Sequence, residues 1–235
     1  MTFDKVKKKY ALNNSYFKYR SANMPSNPNE VAEYVEQHNE LPYNSELNDN
    51  WLYDCYIEFQ KRVGVVNSQF FTPSDTARRV AEIVSDLVPE NERILDACCG
   101  FGQLTKAMQK EGFNQIEAFD FSSSMTDLYY SYTGLDARLY DFRDKDKLLV
   151  NKYETIVANP PYETKELIQF FEFLNDYLYA NGKAILLLPH GFLDKTSPAK
   201  LVVLLNGYAI EHRELMTEDF ARTKSKAEIV VLRRI

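Results

Sequence analysis

Ile94-Leu95-Asp96-Ala97-Cys98-Cys99-Gly100-Phe101-Gly102 carries the clearest architectural signal in the chain. A buried strand runs into a Gly-x-Gly turn that opens a helix, with an acidic residue just ahead of the turn. Glycines in such a turn let the backbone approach a ligand with no Cβ in the way. A dinucleotide-binding turn calls for a third glycine three residues after Gly102, where Thr105 stands, and no Gly-Lys-Ser/Thr follows to make a P-loop. Working outward, Gly112, Gly134, Gly182 and Gly207 each close a stretch readable as helix, where a left-handed C-cap belongs, and each comes just before an apolar run. The runs are 93–97, 116–119, 137–140, 155–158, 184–188 and 208–215, with a last one over 228–232. Strand and helix alternate, which predicts an α/β, doubly wound, mainly parallel seven-stranded sheet with helices on both faces. The seventh run follows the sixth with no room for a long helix. It is therefore expected as an antiparallel hairpin partner at the sheet's end.

Residues 1–66 read differently. Glu30 to Gln37 and Leu47 to Arg62 have helical spacing and are separated by Pro-containing segments, which predicts a helical N-terminal extension ahead of the α/β domain over 67–235. At 235 residues, 45% hydrophobic and 26% charged, the chain has the size of one α/β domain with a small appendage and no apolar run long enough to span a membrane. Three cysteines, Cys55, Cys98 and Cys99, show no zinc-binding spacing, and the basic N-terminus has no apolar signal core. A reducing, cytoplasmic setting and no metal are expected. The net charge of -6 argues against bulk electrostatic coating of nucleic acid, but it is unevenly spread. Residues 1–20 hold Lys5, Lys7, Lys8, Lys9, Lys18 and Arg20 against Asp4, residues 21–60 hold eight acids and no base, and the rest nearly balances. A basic cleft in the main domain is compatible with that distribution.

Four further segments carry chemistry. Asn159-Pro160-Pro161-Tyr162 follows the apolar run 155–158 directly, and two consecutive prolines make a stiff loop at the carboxyl edge of the sheet, where open α/β sheets bind ligands. Gln69-Phe70-Phe71-Thr72-Pro73 precedes an amphipathic helix of Val80, Ile83, Val84 and Leu87. Leu139-Tyr140-Asp141-Phe142 ends the third strand, and Phe220 sits in a basic loop with Arg222, Lys224 and Lys226.

Asp-x-x-x-Gly-x-Gly resembles motif I of the S-adenosylmethionine-dependent methyltransferases, and Asn-Pro-Pro-Tyr resembles motif IV of those that methylate planar amino or amide nitrogens. With Phe-Thr-Pro as motif X, the order X, I, IV resembles the N6-adenine DNA methyltransferases, over Asn67 to Ile235. The resemblance implies a Rossmann-like class I methyltransferase fold and S-adenosylmethionine as cofactor. It implies that Asp96, Cys98, Gly100 and Gly102 shape the cofactor turn, and that Asp120, about 20 residues on, holds the ribose with Phe121 beside it. Phe71, Thr72 and Pro73 would stand at the methionine end, and Asp141, with Phe142 packing near it, would bind the adenine amino group, Asp144 being a possible substitute for that acid. Asn159 and the Pro160 carbonyl would accept the two hydrogens of the target amino group and pull its nitrogen toward tetrahedral geometry, with Pro161 stiffening the loop. Tyr162, and Phe220 as the motif VIII aromatic, would sandwich a flipped adenine.

The chain departs from that family in one respect: only 73 residues follow Tyr162, so no target-recognition domain is evident. Sequence recognition is then expected from the N-terminal extension, from short loops or from a partner specificity subunit. DNA is the expected partner, with RNA possible. Two alternatives stay open: a protein-glutamine or RNA methyltransferase, and a cofactor-binding subunit of a larger restriction-modification-like assembly. The Phe-Thr-Pro element and Glu163 speak against the glutamine enzymes.

Overall fold

A computed structural model describes residues 4–5, 28–38, 71–144, 149, 151–219 and 226–235. The elements in chain order are α1 (Pro28–His38), α2 (Ser74–Leu87), β1 (Ile94–Ala97), α3 (Gln103–Lys110), β2 (Ile116–Asp120), α4 (Ser123–Thr133), β3 (Arg138–Leu139) and β4 (Tyr153–Ala158). They continue with α5 (Thr164–Tyr177), β5 (Leu178–Pro189), α6 (Phe192–Lys195), α7 (Pro198–Leu204), β6 (Tyr208–Asp219) and β7 (Lys226–Arg234). Helix α1 covers the expected Glu30 to Gln37 segment; Leu47 to Arg62 lies outside the described residues. Among the described residues no helix is long and apolar enough to cross a membrane.

The seven strands form one sheet in the order β3-β2-β1-β4-β5-β7-β6. From β1 the chain winds outward through β2 and β3, then returns to the other side of β1 as β4. That reversal opens a crevice at the carboxyl ends of β1 and β4, where doubly wound sheets take their ligands. Register brings Ala97 opposite both Phe119 and Ala158, so the turn after β1, Asp120 and Asn159 emerge at one level. The hairpin of β6 and β7 is antiparallel as expected, but β7 is not the outermost strand. It inserts between β5 and β6, antiparallel to both, and β6 forms the edge. Ile229, Val230, Val231 and Leu232 are all 0% exposed, and only a central strand with both faces covered buries so continuous an apolar run.

Period-two alternation assigns the two cores. Leu186, Leu188, Val230 and Leu232 face one side, where the aromatic stripe of α5, Phe170, Phe171, Phe173 and Tyr177, packs with Phe119 and Tyr140. Ile185, Leu187, Ile229 and Val231 face the other, against Val80, Val84, Leu104 and Met108 of α2 and α3. Leu87, expected on the buried face of α2, is 37% exposed; Val88, just past the helix, fills that place at 6%. Gly112, Gly134 and Gly207 are left-handed as expected, but Gly182 is not. The neighbouring Asn181 carries the positive φ, 63°, at the irregular start of β5. Gly182 answers a different need, since a Cβ there would lie 2.7 Å from the Glu154 carbonyl oxygen.

Candidate functional site

A cleft opens at the crevice, where open α/β sheets bind ligands. Gly100 and Cys98 of the turn after β1 form part of its wall, as do Asp120 and Phe121 after β2 and Phe142 after β3. Asn159, Pro160 and Pro161 close it from β4, and Phe71 closes it from ahead of α2. Nine residues expected from the sequence therefore share one cavity. Thr72, Pro73, Asp96, Gly102, Asp141 and Tyr162 do not line it, and Phe220 lies outside the described residues.

The turn is built on left-handed backbone at Cys98 (φ 57°), Gly100 (φ 55°) and Gly102 (φ 97°). Gly102 is sterically obligatory: a Cβ would come within 2.4 Å of Thr133 Cγ2 and 2.8 Å of Tyr129 Cδ2. Cys98 pays for the same conformation with Cβ strain. Burial, then the charges of Asp120, Asp96 and Asp141, pushes its thiol above the ordinary value and favours the neutral form.

Asp120 is 5% exposed and its carboxylate is held in place, Gly100 N–H donating to Oδ2 at 3.0 Å and Ser122 N–H to Oδ1 at 2.9 Å. Burial raises it to about 6, against the lowering effect of these backbone donors. Asp96 sits behind the turn, 0% exposed, accepting at Oδ2 from Thr105 N–H (3.2 Å) and hydroxyl (2.7 Å), with Tyr129 Oη 2.8 Å from that same hydroxyl. Burial raises it to about 7.

The segment ahead of α2 is tied to both chemical loops. Asn159 Nδ2 donates to Thr72 Oγ1 at 3.1 Å, and Gln103 Nε2 at the start of α3 donates to the Thr72 carbonyl. Phe71 packs on Phe101 at 5.1 Å between centroids. Pro73 begins α2, its carbonyl accepting from Ala77 N–H at 2.8 Å. Thr72 thus ties the Asn159 amide to the segment ahead of α2. Tyr162 turns the other way, packing against the core of α2 and α3, where burial raises its phenol far above the ordinary value.

Four wall residues lie outside the expected site: Phe119 and Tyr140, which fall in the apolar runs 116–119 and 137–140, and Arg143 and Glu166. Arg143 donates to Asp141 from Nε (2.8 Å, Oδ1) and Nη2 (2.8 Å, Oδ2), and from Nη1 to Glu166 Oε1 at 2.6 Å. Its guanidinium stands 5.3 Å from the Phe121 ring centroid. Arg143 lies two residues past Asp141 and Glu166 in the first turn of α5, acceptable as an ordinary helix-start acid. Neither position carries a pattern that says it faces a cavity.

No protein-family model matches the chain, and no curated protein matches its sequence. Solved structures do match in shape. A protein described as a class I S-adenosylmethionine-dependent methyltransferase from Listeria monocytogenes superposes with TM-score 0.71 at 15% identity, covering 99% of this chain and 80% of that one. A modification subunit assigned to a type I restriction enzyme of Vibrio vulnificus gives 0.59 at 17%, covering 88% of this chain and 54% of that one. A protein of Pyrococcus horikoshii described as an RNA methyltransferase gives 0.58 at 13%, over 71% of this chain and 85% of that one. At such identities the likeness speaks to architecture: the chain has the fold of the class I S-adenosylmethionine-dependent methyltransferases.

Proposed function

We propose that this protein is an S-adenosylmethionine-dependent N-methyltransferase acting on the exocyclic 6-amino group of adenine in DNA. The observation that carries the reading is that Asn159-Pro160-Pro161 and the Gly100–Asp120 wall bound one cleft at the switch point of the sheet. Each half of the reaction thereby has its residues within one cavity.

The residues suit such a cofactor. Asp120 offers a buried carboxylate for ribose hydroxyls, Phe121 and Phe142 offer apolar faces for a base, and Gly100 keeps the turn clear, a Cβ there meeting only the Phe71 ring at 3.7 Å. Asp120 and Asp141 act electrostatically on the wall at Cys98, with Arg143 opposing them. When bound, S-adenosylmethionine supplies an electrophilic methyl group. The protein's own part is to bring an amino nitrogen into line and to accept its hydrogens at Asn159 and the Pro160 carbonyl, drawing the lone pair out of conjugation. Thr72 holds the Asn159 amide in the orientation this requires. No strong base is needed, because the proton becomes acidic only as the nitrogen is alkylated. Tyr162 would have to rotate out of the α2–α3 core to stack on a base. A specificity subunit or the N-terminal extension would supply site recognition.

The test is a transfer assay with tritium-labelled S-adenosylmethionine, offering duplex DNA, single-stranded DNA, RNA and a protein extract in parallel, followed by nucleoside analysis. Label in DNA as 6-methyladenine is the expected result. Label confined to RNA or protein moves the substrate and keeps the chemistry, and cofactor binding with no transfer to anything overturns the enzymatic reading.

A further inference from the structure

We propose that Glu166, rather than the strand-end Asp141, reads the cofactor's base, accepting a hydrogen of its exocyclic amino group at Oε2. The inference rests on the methyltransferase reading above and adds to it the residue that selects a 6-amino over a 6-oxo purine.

The argument starts from how the two carboxylates are used. Asp141 receives three donors from a single neighbour: Arg143 N–H at 2.9 Å and Nε at 2.8 Å on Oδ1, and Nη2 at 2.8 Å on Oδ2. It does not line the cleft. Glu166 lines it, on the same stretch of wall as Phe121, Phe142 and Arg143. Only one of its oxygens is engaged: Oε1 takes Arg143 Nη1 at 2.6 Å, while Oε2 is buried and accepts from no described residue. A buried carboxylate oxygen left in that state is costly, and a donor arriving in the cleft would relieve the cost.

The chemistry of the donor follows from charge and shape. Two carboxylates share one guanidinium, so the cluster keeps a net negative charge and favours an N–H over a carbonyl oxygen. Phe121 and Phe142 line the same cleft and make its wall apolar there. A 6-amino purine satisfies Oε2. A 6-oxo purine would set acceptor against acceptor and leave both unpaired.

Arg143 is then a positioning residue. It fixes Glu166 through Oε1, is itself clamped by Asp141, and leaves Oε2 as the reading atom. A purely structural role for Glu166, as partner of Arg143 or as a helix-start acid, would affect stability but not the choice between bases.

The experiment is isothermal titration of the full chain with S-adenosylhomocysteine and with S-inosylhomocysteine, its 6-oxo counterpart. The wild type is expected to prefer the amino compound on the order of 10- to 100-fold, the worth of one charge-assisted hydrogen bond. In Glu166→Gln the amide can turn either its oxygen or its N–H to the base, and the preference should fall to within about threefold. Asp141→Asn should keep it. A wild type that binds both compounds equally, a Glu166→Gln variant that keeps the full preference, or its loss in Asp141→Asn alone would overturn the proposal while leaving the methyltransferase reading intact. Failure of the wild type to bind either compound would remove both.

Discussion

Asp96→Asn should change how stability depends on pH, by an amount that follows from the site. Asp96 is fully buried, and its burial outweighs the two Thr105 hydrogen bonds, lifting the carboxyl from 3.8 to about 7. A group whose folded pKa lies above its unfolded one holds its proton more tightly in the folded chain. Its stabilising effect is therefore complete below pH 3.8, declines as pH rises and is gone above about 7. At about 1.36 kcal/mol per pH unit the whole window is worth about 4 kcal/mol, of which about 2.5 kcal/mol falls between pH 5 and pH 8. In Asp96→Asn the amide oxygen can keep both Thr105 bonds, and nothing at this position ionises. Placing an NH2 where Oδ1 now lies adds a cost of about 1–3 kcal/mol that does not vary with pH. The slope rather than the offset is thus the quantity to read. Urea unfolding followed by far-ultraviolet circular dichroism at four pH values from 5 to 8 gives it directly. The stability of the variant relative to the wild type should rise by about 2.5 kcal/mol across that range. Asp120 titrates in both proteins and cancels to first order. Parallel profiles, or a difference that shrinks with rising pH, would refute the reasoning and mean that Asp96 is ionised in the folded chain throughout.

Three further outcomes are expected. Asn159→Ala should abolish methyl transfer while S-adenosylhomocysteine affinity, read by titration, changes less than about threefold, since in the proposed reaction the lost acceptor serves the target nitrogen. Cofactor affinity should be highest above pH 6 and fall as the pH drops through about 6, where Asp120 protonates and, in the proposed binding mode, ceases to accept from two hydroxyls; Asp120→Asn should bind more weakly and lose that pH dependence. Gly102→Ala, with its Cβ driven to 2.4 Å from Thr133 and its φ at 97°, should lose about 3 kcal/mol and melt several degrees lower in a thermal scan.

Much of this architecture was legible in the linear order of residues. Alternating apolar runs and glycine stops located all seven strands, and the spacing from Asp96 to Asp120 to Asn159 placed three loops at one sheet edge because each ends a parallel strand. The limits show at particular residues. Gly182 carries the same glycine signal as Gly112, yet its reason is the 2.7 Å approach to the Glu154 carbonyl, a contact with another strand. Leu87 fits the helical period as well as Val84 does, but Val88, just past the helix end, is the residue buried in the core. Tyr162 reads as part of the chemical loop, and its ring turns into the core because the α2–α3 side offers an apolar seat.

Local order was written in the chain: which segments are strands, where most turns need a left-handed residue, and which polar residues follow strands. These depend on periodicities and backbone sterics within a few residues of chain. Tertiary structure alone decided that β7 slides between β5 and β6, that Thr72 holds Asn159, and that Arg143 links Asp141 to Glu166 on the cleft wall. Each of those joins residues from separate elements, 87 positions apart for Thr72 and Asn159. Such pairings arise from how whole faces pack, and no short-range pattern encodes them.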